Sequence, residues 1–190
     1  MRTSTLPPRE QSILHCDIKP ANVLLSYPDE HVKLCDFGLA SRLSLDQNEL
    51  LFGVRGTPRY MAPEVAFRAF NLPADVYSYG ICLYELLHGA RFLGHLQNSD
   101  AVLLAAANGQ RPQAHLAAEQ RGLLSDDDRA FADTAAAVVD RCWQSSWEQR
   151  PKMVDVTFSV LLRRSELLAG IPDEAWHGVE RLVMESPNTA

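Results

Sequence analysis

Between Pro73 and Gly89 the chain places apolar residues on nearly every face of a helix. Val76, Tyr79, Gly80, Leu83, Leu86 and Leu87 follow the 3.6-residue period, and Ile81 and Cys82 fill much of the opposite face. A helix that is apolar almost all round has to be covered on all sides, so the fold must be built around this segment. Gly89 supplies its C-terminal stop.

Other elements can be assigned around that centre. Val23–Ser26 and Val32–Cys35 are short apolar runs separated by Pro28, Asp29 and Glu30, whose turn chemistry predicts a β-hairpin. The polar stretch from Ala40 to about Thr57 reads as a long loop, which in a compact domain is usually functional. A helix fits Asp100–Asn108, ended by Gly109. Another begins at Ser125, with Asp128 as a capping-box variant, and is expected to bury Phe131, Ala135, Val138, Val139 and Cys142. Met153, Val156, Val160, Leu161, Leu167 and Leu168 form a further helical stripe between Pro151 and Gly170, although Val154–Val160 also alternates like a strand. Pro172–Met184 reads as a short helix burying Trp176, Val179 and Leu182. Two strands followed by four or five helices predict a mainly α domain over residues 13–170, with a leader at 1–12 and an extension at 171–190.

Composition removes several function classes. The net charge of −6 comes with no basic stripe, so neither nucleic acid nor an anionic membrane surface has a patch to engage. No apolar stretch reaches the ~20 residues of a membrane span, and the first residues lack a secretory apolar region. Cys16, Cys35, Cys82 and Cys142 have no CxxC spacing, so reduced thiols and a cytoplasmic location are the expectation. His88, His95, His115 and His177 show no ligand spacing and read as solvated or core side chains.

The chemistry concentrates in His15-Cys16-Asp17-Ile18-Lys19-Pro20-Ala21-Asn22, followed at hairpin distance by Asp36-Phe37-Gly38. Phosphoryl transfer needs a carboxylate near the incoming hydroxyl, a cation on the γ-phosphate and hard oxygen ligands for Mg²⁺. Asp17, Lys19 and Asn22 put base, cation and amide oxygen in one tight loop, and an antiparallel hairpin after Asn22 returns Asp36 to the same end. A lone DFG tripeptide or Asp-x-Lys pair would carry little weight; their order and separation carry the signal.

These segments resemble the catalytic loop and metal-binding motif of eukaryotic-type protein kinases. Gly56-Thr57-Pro58-Arg59-Tyr60-Met61-Ala62-Pro63-Glu64 resembles the end of a kinase activation segment, Asp75-Val76-Tyr77-Ser78-Tyr79-Gly80 the start of the family's central helix, and Cys142-Trp143 with Arg150-Pro151 its late Cys-Trp…Arg-Pro block. The resemblance covers roughly Ile13 to Leu168 and implies a protein-kinase-like large (C-terminal) lobe with a short β-hairpin beside the catalytic loop. It implies ATP and Mg²⁺ as cofactors and Ser/Thr of a protein as acceptor. Asp17 and Lys19 would be catalytic, Asn22 and Asp36 would hold Mg²⁺, and Leu24 would touch the adenine. Thr57 would bond to Asp17 and Lys19, Asp75 would hold the backbone around His15 and Cys16, and Arg150 would pair with Glu64. His15 and Phe37 would support the loop.

Lys19 and the Gly-Thr-x-x-Tyr form resemble serine/threonine kinases, and the Tyr-Met-Ala-Pro-Glu form is most similar to the tyrosine-kinase-like group that includes Raf and mixed-lineage kinases. Cys16 stands where a loop-regulated kinase carries Arg, a resemblance to the non-RD subset. A cysteine cannot supply the charge-assisted bonds that a phosphorylated Ser41 or Ser44 would need. Cys35, before Asp36, would face the nucleotide, where an electrophilic ligand could alkylate it; a buried inert thiol is the alternative. No Gly-rich phosphate loop or Val-Ala-Ile-Lys strand precedes His15, so the small lobe is expected to be absent and this chain alone inactive. A kinase-derived binding module, docking partners through Gly109–Leu124 without catalysis, is the second reading.

Overall fold

The computed structural model describes residues 11–25, 31–44 and 50–156. The expected helices after Val156, including Pro172–Met184, residues 1–10 of the leader and the turn at Pro28–Glu30 lie outside these residues, whereas Gln11 and Ser12, expected in the leader, belong to a strand.

The central helix is α2 (Pro73–His88), closed by Gly89 in the left-handed region at φ 60°. It packs most extensively on α5 (Asp126–Cys142). Gly80 lets the two helices approach: a Cβ there would sit 2.7 Å from the Cβ of Cys142. Tyr77, Ile81, Val139 and Cys142 are fully buried between them. The core continues to α3 (Ser99–Ala107), where Val102 and Ala106 meet the central cluster, and to α1 (Pro63–Ala66). A short helix, α4 (Ala118–Gly122), precedes α5 and is tied to it by Arg121, whose Nη2 bonds Asp133 Oδ2 at 2.8 Å.

Two expected burials are corrected. Leu86 faces solvent on α2, and Phe131 on α5 is also exposed. Each lies on the edge of its helical stripe, where neighbours rather than periodicity decide what is covered. The start of α3 is set by Asn98, whose side chain accepts the amides of Asp100 and Ala101. Ser125 caps α5 as expected, accepting Asp128 N–H at 3.1 Å. A helical turn at 153–156 begins the Met153 stripe.

The strands depart further from expectation. The hairpin is present as β2 (Val23–Leu25) and β3 (Val32–Leu34), antiparallel with Leu24 opposite Lys33. The stretch from Ala40 to Thr57, expected as a loop, contains β4 (Ser41–Ser44) and β5 (Leu51–Phe52). β4 pairs with β1 (Gln11–Leu14), placing Leu14 opposite Ser41, and β5 pairs with β6 (Ala69–Phe70). Strands of two to four residues carry too little alternation to register, and their partners are distant in sequence. No helix among the described residues is long and apolar enough to cross a membrane.

Candidate active site

The loop between β1 and β2 is built on the backbone rather than on regular structure. Leu14 anchors its start, fully buried beneath β4. Cys16 then takes a left-handed conformation (φ 69°) that an L-residue adopts only where its surroundings impose it. Asp75, from the first turn of α2, imposes it: its two carboxylate oxygens accept the amides of His15 at 2.6 Å and Cys16 at 3.0 Å. Leu72, not Asp75, is the N-cap residue of α2, so the Asp75 side chain is committed to the loop. Burial pushes the Asp75 carboxyl above the usual carboxylate range, and the two amide hydrogen bonds offset part of that rise.

His15 completes the frame. Its Nε2 lies 3.0 Å from the carbonyl of Cys35, its Nδ1 accepts the Asp17 amide at 3.3 Å, and its ring meets the edge of Phe37 at 4.8 Å. One buried imidazole thus ties the loop to the segment carrying Asp36.

Asp17, 7% exposed, collects three donors. Lys19 Nζ donates to Oδ2 at 2.6 Å, the Thr57 amide donates to Oδ1 at 2.8 Å, and Asn22 Nδ2 lies 3.4 Å from Oδ2. Burial alone would raise its pKa, but the bonds from Lys19 and Thr57 outweigh it and hold the carboxyl below the ordinary range. Lys19 Nζ also donates to Thr57 Oγ1 at 2.9 Å, so one ammonium bridges both residues. Burial holds the Cys16 thiol up at about 11, far from a reactive thiolate.

Asn22 ends the single 3-10 turn Pro20–Asn22 and donates Nδ2 to the Asp17 carbonyl at 2.8 Å. With its NH₂ group committed, its Oδ1 is the atom left to offer a cation. The Cys35 amide donates to the Asn22 carbonyl at 2.9 Å, continuing the hairpin ladder and bringing Asp36 to the same end. Asp36 is exposed and left-handed (φ 63°), its Oδ1 accepting the Gly38 amide at 3.4 Å. An amide oxygen and an exposed carboxylate are hard donors that suit Mg²⁺ when phosphate and water complete the shell. Among the described residues there is no cluster of three His, Cys, Asp or Glu to hold a metal by itself. Leu24 projects from β2 at 51% exposure.

Beyond the loop, Glu64 meets Arg150 in a bidentate pair at 2.6 and 2.7 Å across 86 residues. The Arg150 guanidinium also bonds the carbonyls of Pro73 and Gln144 and lies 5.0 Å above the Tyr77 ring. Of the residues singled out in the sequence, Asp17, Lys19, Asn22, Thr57, His15 and Asp75 meet in one cluster, Asp36 and Phe37 border it, and Glu64 and Arg150 form a second one.

Other contributors carried no such signal. Arg59 is buried and donates to the carbonyls of Phe92 and Leu96, the latter at 3.0 Å, pinning the segment after Thr57 to the turn beyond α2. Tyr60 OH and the Phe92 amide share the Glu85 carboxylate, both at 2.9 Å. Ser78 Oγ donates to the Tyr60 carbonyl at 2.8 Å. Arg59 and Tyr60 lie inside a motif already flagged, but their partners come from distant turns that local pattern does not reveal.

Comparison with known proteins identifies the family. The family model described as "Protein kinase domain" matches residues 9–160. A putative mitogen-activated protein kinase kinase kinase 7-like protein of Drosophila melanogaster is 39% identical over 77% of this chain and 35% of its own length. Leucine-rich repeat serine/threonine-protein kinase 1 of Mus musculus is 33% identical over 80% of this chain and 8% of its own. Serine/threonine-protein kinase VIK of Arabidopsis thaliana is 30% identical over 76% of this chain and 31% of its own. The chain therefore spans about a third or less of the length of these relatives. With a family match over most of its length, this chain belongs to the protein kinase family.

Proposed function

We propose that residues 13–170 are the large lobe of a Mg²⁺- and ATP-dependent protein serine/threonine kinase of the tyrosine-kinase-like group, with a leader at 1–12 and an extension at 171–190. The observation that carries this reading is the Asp17–Lys19–Thr57 cluster, in which one ammonium and one backbone amide hold a carboxylate in the loop that Asn22 and Cys35 link to the exposed Asp36.

In this reading Asp17 accepts a hydrogen bond from the acceptor Ser/Thr hydroxyl and orients its oxygen towards the γ-phosphorus. Because its pKa is depressed, Asp17 is a weak base, so its contribution is orientation first and proton acceptance late. Lys19 neutralises charge on the transferred phosphoryl group from its place beside Asp17. Asn22 Oδ1 and the Asp36 carboxylate would hold Mg²⁺, which when bound neutralises the phosphate oxygens. Leu24 offers an apolar surface for the adenine, and Thr57 with the residues after it shapes the acceptor pocket.

Exposed apolar side chains on the hairpin support a covering body there. Leu25 is 69% and Val32 70% exposed, and Phe37 and Leu39, which follow the hairpin, are half-exposed. We assign that cover to nucleotide and a kinase small lobe. No Gly-rich loop and no lysine in a Val-Ala-Ile-Lys context precede His15 to grip the α- and β-phosphates, so by themselves these 190 residues should turn over ATP negligibly.

The test compares this chain with a version extended by the reading frame upstream of Met1. The extended protein should phosphorylate Ser/Thr peptides, and Asp17→Ala should lower its kcat by roughly a thousandfold or more. Asp17-dependent turnover by the 190 residues alone would overturn the expectation that they are inactive by themselves. Full activity of the extended Asp17→Ala variant would overturn the catalytic assignment.

A further inference from the structure

The segment that delivers Thr57 to Asp17 is held at two distant points with a flexible stretch between them. Upstream, β5 pairs with β6 and the Gly53 amide donates to the Arg68 carbonyl at 3.2 Å. Downstream, Thr57 itself bonds Asp17 and Lys19. In between, Gly53 (φ 107°) and Gly56 (φ 102°) adopt conformations natural only to glycine. Gly56 also passes so close to the loop that a Cβ would fall 2.2 Å from the Cys16 carbonyl oxygen. Two glycines and an exposed Val54 give this stretch little stiffness of its own.

Among the described residues, one side-chain bond from this stretch fixes it. Arg55 Nη1 donates to Ser41 Oγ at 3.0 Å. Ser41 stands opposite Leu14 in the β1–β4 ladder, one residue before His15 begins the catalytic loop. The bond therefore ties Arg55 to the ladder whose strand β1 leads directly into the loop of Asp17. The Arg55 charge reaches the loop, since it pulls the Cys16 thiol down against the burial that raises it. Cys16 makes only a weak contact of its own, Sγ to the Leu14 carbonyl at 3.7 Å.

We propose that Arg55 is a positioning residue: through Ser41 it fixes the Gly53–Gly56 stretch against the β1–β4 ladder and so holds Thr57 in register with Asp17 and Lys19. The inference rests on the kinase reading for its catalytic meaning, but its geometry can be tested without turnover.

Hydrogen exchange of the ¹⁵N-labelled 190-residue chain, followed by NMR, reads the Thr57 amide directly. Arg55→Gln should speed Thr57 exchange roughly five- to tenfold, the worth of one tethering hydrogen bond. Ser41→Ala, which keeps the positive charge, should do the same, and the double variant should go no further than Arg55→Gln. Arg55→Lys, able to reach the same hydroxyl, should restore most of the protection. The amides of Ile81 and Val139 in the helical core should stay within twofold of wild type throughout. Thr57 exchange unchanged in both single variants overturns the proposal. So does acceleration shared equally by Ile81 and Val139, which marks a merely structural residue. Neither outcome depends on kinase activity, so loss of the kinase reading and loss of this inference are told apart.

Discussion

Asp17 and Arg150 each carry a charge into the interior, and the regions around them complete that charge on different terms. Around Arg150 everything is closed. Its side chain is 0% exposed and meets a carboxylate in bidentate geometry, carbonyls on several sides and an aromatic face. Around Asp17 the carboxylate is itself buried, its side chain 8% exposed, and held by Lys19, Thr57 and Asn22, but the loop around it stays open: Lys19 is 23% exposed, and Asp36 and Leu24 are exposed. A charge satisfied on all sides has nothing left to offer a substrate and serves the fold. A charge held among partly solvated partners is preorganised yet not committed to the fold alone. Asp75 connects the two regions: it starts on the central helix and ends on the backbone of the loop.

Removing charges from each region tests this contrast. Arg150→Ala should cost the most, about 3–5 kcal/mol, because it strands Glu64 in the interior. Urea denaturation measures it, and a loss under about 1 kcal/mol would erase the distinction between the closed base and the open loop.

Glycine variants probe where the loop and the activation segment touch. Gly56→Ala should cost at least about 2 kcal/mol, since positive φ and the contact with the Cys16 carbonyl act together. Gly53→Ala, with the same kind of φ but nothing within 4 Å, should cost about 1 kcal/mol. Equal losses in thermal or urea melts would show that the close approach at Gly56 does not matter.

Asp75→Asn should cost about 1–3 kcal/mol, because a neutral amide cannot accept both the His15 and Cys16 amides. Its pH dependence sharpens the result. A carboxyl whose folded pKa lies above the unfolded value of about 3.9 favours folding while protonated and loses that contribution as pH rises through the folded value. The stability gap between wild type and Asp75→Asn should therefore narrow as pH rises through that window. A widening gap would mean that the two amide bonds outweigh burial. A smaller effect than at Arg150 is expected around Asp17. Lys19→Met should cost about 1–3 kcal/mol, since it removes one partner of a buried carboxylate that Thr57 and Asn22 still serve. A loss comparable to that of Arg150→Ala would show that the loop is held as rigidly as the base.

Much of this was legible beforehand where a local signal was strong. The apolar period of α2 with its terminal Gly89, the capping of α5 by Ser125 and the two runs of the β2–β3 hairpin are local patterns that the fold reproduces. The strands β1, β4, β5 and β6 were not legible, because two to four residues show no period and each is stable only through a remote partner. The site divided in the same way. Its residue types could be read from the motifs, whereas the buried Arg59, the Tyr60–Glu85 link and the bond between Arg55 and Ser41 join residues that no spacing rule relates.

The sequence by itself determined which groups are present and which helices form, because side-chain chemistry and hydrophobic period are properties of the chain taken locally. Only the tertiary structure decided that Asp17 has its pKa lowered while Asp75 has its raised. Burial raises both carboxyls; at Asp17 the bonds from Lys19 and Thr57 outweigh it, whereas at Asp75 the two backbone amides offset only part of it. Those neighbours come from Thr57 and from the central helix, brought to the loop by packing across the molecule.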